Sequence, residues 1–534
     1  MNSAMTLFRD EVHYGDRVVR CFAERPATVD AMFRQAVAAS PAAVALVEGE
    51  RRIAYRELDR SVDRLAGNLA GLGIVAGDRV ALLLGNRREF VQMVLAAARL
   101  GAIVVPIGIR QRRPENEYVL AHSGARLLVH EADLLPELPA PAAVPALAHR
   151  FVVGGTAPGS RPFAELLRDA PPPPAAAIAE DSTFCILYTS GTTGRPKGAM
   201  LTHFSTVHSC LHFRHCMQLR PGDSTVLAVP ASHVTGLVAI ILSMILIGGR
   251  TVLMETFKAR AYLELASREA ISMTILVPAM YNLCLLDPEF DRFDLSAWRI
   301  GGYGGAPMPE ATIRRLAEKL PNMVLCNAYG ATETTSPTTI MPLGDGIAHA
   351  DSVGKVVPCG EIRIMDDQGR EVAPGQSGEI WIAGAMVVPG YWQMPEANAA
   401  NFTGGYWHSG DIGSVDAAGY VRVFDRKKDM INRGGYKVFS AEVENVLSHH
   451  PGVVECAVVG RPDPVLGERV QAFILAKDAG TSEADIRDFC IARMADYKVP
   501  ERIVFLADPL PRNANGKVLK GSLRQMVEAE LGRG

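Results

Sequence analysis

The chain is 534 residues long, with 48% hydrophobic and 21% charged residues and a formal net charge of −3. That length calls for two to four domains of roughly 150 residues each, and the composition excludes disordered, fibrous and membrane-spanning classes. With 55 basic residues set against 58 acidic ones, there is no basic excess for nucleic acid, which is excluded as a partner.

The first seventeen residues, MNSAMTLFRDEVHYGDR, contain no apolar stretch of the kind a secretory signal needs. Residues 54–74 carry Leu58, Val62, Leu65, Leu69 and Leu72 at steps of three and four, one face of a helix. The runs RVALLLG (79–85) and AIVVPIG (102–108) read as buried strands, with a helix over 89–101 between them. Short apolar strands joined by helices imply a parallel sheet with crossover connections, hence an α/β class. The proline run at 171–174 cannot continue a helix and reads as an extended connector. Further strands are expected at STVLAVP (224–230), ISMTILVP (271–278) and WRIGGYGG (298–305). The longest apolar run, GLVAIILSMILIGG (236–249), is shorter than the ~20 residues a membrane crossing takes and reads as a buried core helix. The Gly-rich stretch 354–425, with EIRIM and GEIWIAG, reads as a small β-rich subdomain of antiparallel strands.

Beyond residue 427 the pattern restarts as an α+β unit of domain size. Ser440 is expected to cap a helix through Val443, Val446 and Leu447. Strands follow at 453–460, 470–476 and 502–506, with a helix over 482–494. The expected organisation is a large domain over 1–427 and a small C-terminal domain over 428–534. Nine cysteines, an odd number without regular spacing, read as reduced thiols of a cytoplasmic protein.

Residues 188–203, YTSGTTGRPKGAMLTH, follow a strand and hold the glycines, hydroxyls and lysine of a phosphate-binding loop, though not in the GxxxxGK[ST] order. Backbone N–H groups and hydroxyls converging there suit phosphate oxygens, because glycine lets the backbone come close. A ligand-free Gly-rich turn is the plain alternative for so short a loop. A second cluster, HFSTVHSCLHFRHC (203–216), sets His208, His212 and His215 on one helical face, with His203, Cys210 and Cys216 nearby. Three imidazoles so spaced are compatible with zinc. Neither an HExxH nor a CxxC pattern accompanies them, so a partly buried structural helix is the preferred reading.

The string YTSGTTGRPKG resembles the signature of the adenylate-forming enzymes, a family that includes acyl-CoA synthetases, peptide-synthetase adenylation domains and beetle-type luciferases. The resemblance continues in order through YGATE (329–333), WHSGD (407–411), DRKKDMINRGG (425–435) and PRNANGK (511–517). It implies a large α/β domain followed by a mobile C-terminal domain. The implied activity is an ATP- and magnesium-dependent acid–CoA ligase, which forms an acyl-adenylate and pyrophosphate, then an acyl-CoA thioester and AMP.

The resemblance also assigns residues. Thr189, Ser190, Gly191, Thr192, Thr193, Gly194 and Lys197 would hold phosphates, and Thr189 and Glu333 magnesium, a hard cation that takes oxygen ligands. Gly304, Gly305, Ala306, Pro307, Asn327, Ala328 and Tyr329 would form the adenine pocket. Thr332 would meet the α-phosphate, and Asp411 and Arg426 the ribose. Lys517 is implied as the catalytic lysine, which contacts the attacking carboxylate and the α-phosphate. Lys428 is implied as the hinge, and Gly434 and Gly435 as the residues that leave room for the pantetheine arm of CoA. Plant coumarate-type ligases carry Lys and Gln where this chain has Asn432 and Lys437, a departure that leaves those two positions without a borrowed role.

For the acyl group the resemblance implies His233, Thr235, Tyr303, Gly330, Ser336 and Pro337. No acidic residue among them could meet an amino group, which disfavours an amino acid substrate, and Arg299 is the nearest candidate to pair a second carboxylate. A fatty acid is the first expectation, from the apolar 236–249 run, and an aryl acid the second. Loading of a carrier protein and a non-catalytic nucleotide-binding role are the rivals. A homodimer is left open.

Overall fold

The structure is a computed structural model that describes residues 7–173, 176–189, 195–478, 480–512 and 518–531. They fall into two compact units. The first comprises residues 1–362, 381–408 and 419–421, and the second 363–380, 409–418 and 422–534.

The first unit holds the α/β layers expected from the alternating pattern. One sheet has the strand order Lys197–Thr202, Thr183–Thr189, Ile103–Pro106, Arg79–Leu83, Leu127–Glu131, His149–Val153, Arg161–Pro162. All neighbours are parallel except the first pair. The helices Tyr55–Gly71 and Arg88–Leu100 form where apolar residues recur at helical spacing; Leu58, Val62, Leu65 and Leu69 of the first are buried. A second sheet runs Ser224–Leu227, Arg250–Leu253, Val44–Glu48, Arg51–Ala54. In a third set, Met273–Leu276, Ile300–Tyr303 and Val324–Tyr329 are parallel neighbours. Tyr262, Tyr281, Trp298 and Tyr303 fill the core of this region.

An antiparallel hairpin, Phe8–His13 with Arg17–Phe22, precedes these layers. The apolar run read as one core helix is a π-helix over Thr235–Leu242 that passes into a short α-helix, Ser243–Leu246. Gly236 is required there, since a Cβ at that position would lie 2.2 Å from the Pro230 carbonyl oxygen. No described helix is long and apolar enough to cross a membrane.

The second unit contains a sheet ordered Tyr436–Val438, Ile431–Arg433, Gly467–Ala476, Val453–Asp463, with Arg502–Phe505 parallel to Gly467–Ala476. Helices Ser440–Ser448 and Glu483–Ile491 bury Val443, Leu447, Ile486 and Cys490 in its core. The final helix, Lys520–Leu531, packs Leu523 and Val527 on the other side.

Two features differ from the sequence expectations. Residues 363–380, 409–418 and 422–427 group with the second unit and not with the first. Lys427 Nζ lies 3.0 Å from Glu379, and Arg426 Nε 2.8 Å from Asp411, tying these segments together. Ser440 is not a helix cap: it is the first helical residue, and its hydroxyl donates to Asp425 Oδ2 at 2.6 Å. The Ser440 oxygen accepts from Lys520 Nζ at 2.5 Å, a charged donor in place of the helix's own backbone amides.

Candidate active site

In the first unit, Thr189 and Lys197 face each other at the open end of an antiparallel pair, so the loop between them begins and ends on paired strand residues. Thr189 Oγ1 donates to the Lys197 carbonyl at 3.4 Å. Ser190, Gly191, Thr192, Thr193 and Gly194 lie outside the described residues. Beyond the loop, Tyr118 donates its hydroxyl to the Pro196 carbonyl at 3.0 Å, and His122 Nδ1 lies 2.8 Å from the Tyr188 hydroxyl. Gly198 is needed beneath this brace, because a Cβ would sit 2.7 Å from the Ile186 side chain.

The segment around Tyr391 runs along the same strand: Trp392 N–H donates to Gly198 O at 2.7 Å and Met200 N–H to Gly390 O at 3.1 Å. This brings the Tyr391 hydroxyl to Glu333, where it donates to Oε1 at 3.0 Å, while Trp407 Nε1–H donates to the Tyr391 oxygen at 3.3 Å. Burial and the neighbouring carboxylate push the Tyr391 phenol well above its ordinary pKa, so it stays a donor. Lys197 Nζ stands 5.0 Å from the Tyr391 ring centroid and 3.5 Å from Asn401 Oδ1. Glu333, Tyr391 and Lys197 thus belong to one cluster. Tyr391 is absent from the sequence reading and Trp407 enters it only as the first residue of WHSGD; a lone Tyr far along the chain carries no local signal of its partner.

Gly304 lies against the neighbouring strand, where a Cβ would be 2.4 Å from the Ala328 carbonyl, and Gly305 has φ +78°. Tyr303 and Asn327 are register partners on the parallel strands Ile300–Tyr303 and Val324–Tyr329, and burial raises the Tyr303 phenol to about 12. Gly330 packs on Pro337, since its Cβ would be 3.2 Å from Pro337 Cα. Tyr329 O accepts from Thr338 N–H at 2.8 Å, which closes the 329–338 loop with Thr332 and Ser336 inside it. Ala306 and Pro307 are exposed just after Gly305. His233 donates its backbone N–H to Pro230 O at 3.1 Å and leads into the helix that Thr235 begins. Arg299 is committed elsewhere: it is ion-paired with Asp223 and donates to Gln218 O at 3.1 Å.

In the second unit, Asp411 is buried and receives Arg426 at 2.8 Å, and its N–H donates to Ser409 Oγ at 3.0 Å. The Lys428 carbonyl accepts from Arg524 at 3.0 Å. Gly434 and Gly435 have φ +59° and +90°, the left-handed region glycine tolerates. Around Gly435 a Cβ would meet nothing within 4 Å. Asn432 is exposed, and Lys437 Nζ lies 3.7 Å from Asp367. Lys517 lies outside the described residues, but the chain on either side is pinned: Arg512 and Val518 form an antiparallel bridge, and Leu519 N–H donates to Pro511 O at 2.7 Å.

The histidine cluster is structural. His203 to Phe213 are buried throughout the helix His203–Cys216. His203 Nδ1 accepts from Val29 N–H at 3.2 Å and His208 Nε2 from Phe22 N–H at 3.2 Å, while His208 Nδ1–H donates to Phe204 O at 2.9 Å. Burial lowers the two pKa values to about 4 and about 3. Both rings are therefore neutral when folded but bind protons when unfolded below pH 6.5. Between pH 6.5 and 4 the unfolded chain takes up more protons, so stability falls as pH falls, by about 1.4 kcal/mol per pH unit for each ring. Urea midpoints measured from pH 7 to 4.5 should drop accordingly, and His208→Asn should flatten the slope.

These features coincide with a family. The family model described as AMP-binding enzyme matches residues 33–392, and that described as AMP-binding enzyme C-terminal domain matches 442–517. The chain belongs to the AMP-binding, adenylate-forming enzymes. Feruloyl-CoA synthase of an Amycolatopsis species is 35% identical over 490 residues, covering 91% of this chain and 96% of that protein. Long-chain-fatty-acid–CoA ligase FadD13 of Mycobacterium tuberculosis is 36% identical over 506 residues, covering 94% and 98%. Among solved structures, o-succinylbenzoate CoA synthetase of Bacillus subtilis with ATP and magnesium superposes with a TM-score of 0.82 at 29% identity, covering 92% and 99%. Within the family the chain is an AMP-forming acid–CoA ligase that uses ATP, magnesium and CoA.

Proposed function

We propose that the acid is a monocarboxylic acid with an apolar acyl body, held along the Thr235–Leu242 helix and the loop bearing Gly330, Ser336 and Pro337. The observation that carries this is the helix itself: Gly236 to Leu242 are all buried and apolar, and the only nearby arginine singled out, Arg299, is neutralised by Asp223. A fatty acid is the first reading. An aryl acid is the second, favoured by Tyr303, which is buried in one core with Tyr281 and Trp298 behind the strand it shares with Gly302.

The residue roles belong to the same proposal. Glu333 and Thr189 offer oxygen donors, the ligand chemistry magnesium prefers, and Tyr391 would orient the Glu333 carboxylate toward it. Magnesium bound there would offset negative charge on the phosphates. Gly304, Gly305, Ala306, Pro307, Asn327, Ala328 and Tyr329 would seat the adenine, Thr332 the α-phosphate, and Asp411 with Arg426 the ribose. The His233 ring would stand at the carboxylate end of the acyl site. Lys517 would act on the carboxylate and α-phosphate, with Lys428 as the hinge of the C-terminal domain that starts there and Gly434 and Gly435 beside the pantetheine arm. The nine free thiols support residence in the cytoplasm.

AMP release measured across acids of graded chain length and aromaticity, with and without CoA, tests the reading. The expected result is CoA-dependent AMP release that is highest for apolar monocarboxylic acids. Preference for a dicarboxylic or amino acid would overturn it.

A further inference from the structure

Arg17 is a half-buried cation that, among the described residues, takes part in no ion pair. Its guanidinium is spent on backbone instead: Nη1 donates to the Val388 carbonyl at 3.2 Å and Nη2 to the Pro389 carbonyl at 3.0 Å. Burial pulls its pKa below the ordinary arginine value. A charge taken out of water is ordinarily matched by an opposite one, so an arginine that grips two successive carbonyls calls for a reason.

The hairpin delivers Arg17 from a fixed base. In the turn before it, Tyr14 N–H donates to Asp181 Oδ2 at 2.9 Å, the Tyr14 hydroxyl lies 2.8 Å from Thr202 Oγ1, and His13 Nδ1 lies 2.6 Å from Asp181 Oδ1. Thr202 ends the strand that Lys197 begins. The hairpin is therefore tied to the strand that leaves the phosphate motif, and Arg17 reaches from there to the 388–391 segment.

That segment leads to Glu333. Val388 is held on both sides, its carbonyl by Arg17 and its N–H by the Glu333 carbonyl at 3.0 Å. Pro389 has no N–H, so its carbonyl is its one backbone hydrogen-bonding group, and Arg17 takes it. Two residues on, the Tyr391 hydroxyl donates to Glu333 Oε1 at 3.0 Å. Met200 N–H, on the Gly390 carbonyl at 3.1 Å, and Asn398 Oδ1, which accepts from Tyr391 N–H at 2.6 Å, hold the downstream half of the segment. Arg17 holds the upstream half.

We propose that Arg17 is a positioning residue for the adenylation step: by fixing the Val388 and Pro389 carbonyls it sets the aim of Tyr391 at the Glu333 carboxylate, and so the affinity of that carboxylate for magnesium. This rests on the reading of Glu333 as a magnesium ligand. Arg17 touches neither substrate nor metal and acts through Tyr391, as residues behind a ligating carboxylate do when they orient it.

The test reads the free-magnesium midpoint of CoA-dependent AMP release by the full chain at fixed ATP, with the best acid of the series above. Tyr391→Phe removes the phenol that touches Glu333 and should raise the midpoint by about tenfold, the low end of what losing a partner of a metal ligand costs. Arg17→Met keeps the apolar stem, loses both donors and should raise it severalfold. Arg17→Lys, a point donor in place of a planar fork, should fall between Arg17→Met and wild type. Arg17→Met combined with Tyr391→Phe should match Tyr391→Phe alone to within a factor of about two, because residues that act through one contact do not add. A midpoint unmoved in Arg17→Met, whatever happens to kcat or melting temperature, would overturn the inference, as would effects that multiply in the combined variant. Should Arg17→Met not fold, Arg17→Lys carries the same cycle. Glu333→Gln separates the two levels: a midpoint it leaves unchanged removes the magnesium reading and this inference with it, whereas a midpoint that Glu333→Gln moves and the Arg17 variants do not removes the inference alone.

Discussion

Lys517→Ala should lower pyrophosphate release from acid and ATP by about 10²–10³, while the variant still converts pre-formed acyl-adenylate and CoA to thioester. In the first half-reaction a carboxylate attacks the α-phosphate, so anion meets anion, and the barrier depends on cations aimed at the charge that develops. The lysine of the phosphate motif, Lys197, stands over the Tyr391 ring at 5.0 Å and beside Asn401, and so is already held by neutral partners. Lys517 sits between two residues, Arg512 and Val518, that are bridged to each other, and Arg512 is itself anchored to Glu455 at 3.1 Å. In the second half-reaction the bond to the α-phosphate is already made and the thiol attacks the acyl carbon, so the meeting of two anions that calls for the lysine is past. Equal loss in both half-reactions would remove the role assigned to it. The companion variant Lys197→Ala should cost less than Lys517→Ala in the same pyrophosphate assay.

The outcome of sequence reading differs from element to element for physical reasons. The parallel strands were legible because burial on both faces leaves nearly unbroken apolar runs, as in Arg79–Leu83 and Ile103–Pro106. The last helix was missed although Leu523 and Val527, four apart, carried its signal. The hairpin at residues 8–22 was also missed, although Tyr14 and Gly15, with φ +54° and +92°, mark its turn. Other features had no local signal at all. The spacing that set three imidazoles on one helical face could not show that backbone N–H groups of Val29, Phe22 and Cys359 meet His203, His208 and His212. Nor could it show that Tyr391, 58 residues from Glu333, reaches its carboxylate. Family motifs name residues that face a ligand; the side chains that hold those residues come from elsewhere in the fold, and only tertiary structure pairs them. Ser440 is the clearest case, since its helix was anticipated but its hydroxyl is taken by Asp425 from the strand before.

Gly435→Leu should have the opposite kinetic signature to Lys517→Ala, with pyrophosphate release within a few-fold of wild type and thioester formation from pre-formed acyl-adenylate reduced by tenfold or more. The described packing makes this a selective change. A Cβ at Gly435 would meet no atom within 4 Å, whereas one at Gly434 would come within 3.2 Å of Leu466, so leucine at 435 has room where the chain stands. Its cost to the fold is the left-handed backbone, φ +90°, a strain of about 1–2 kcal/mol for a residue with a side chain, and a modest fall in melting temperature should register it. The functional cost has another origin. If the pantetheine arm passes Gly435, an isobutyl group fills the space the arm must occupy, and the thiol cannot approach the acyl carbon. Gly435→Ala should give an intermediate thioester rate with nearly the same backbone strain, so a graded loss from Gly to Ala to Leu would trace to side-chain volume. A loss equal in the two variants would trace to the backbone and count against a tunnel at this position. Thioester formation unimpaired in Gly435→Leu would remove Gly435 from the CoA path altogether.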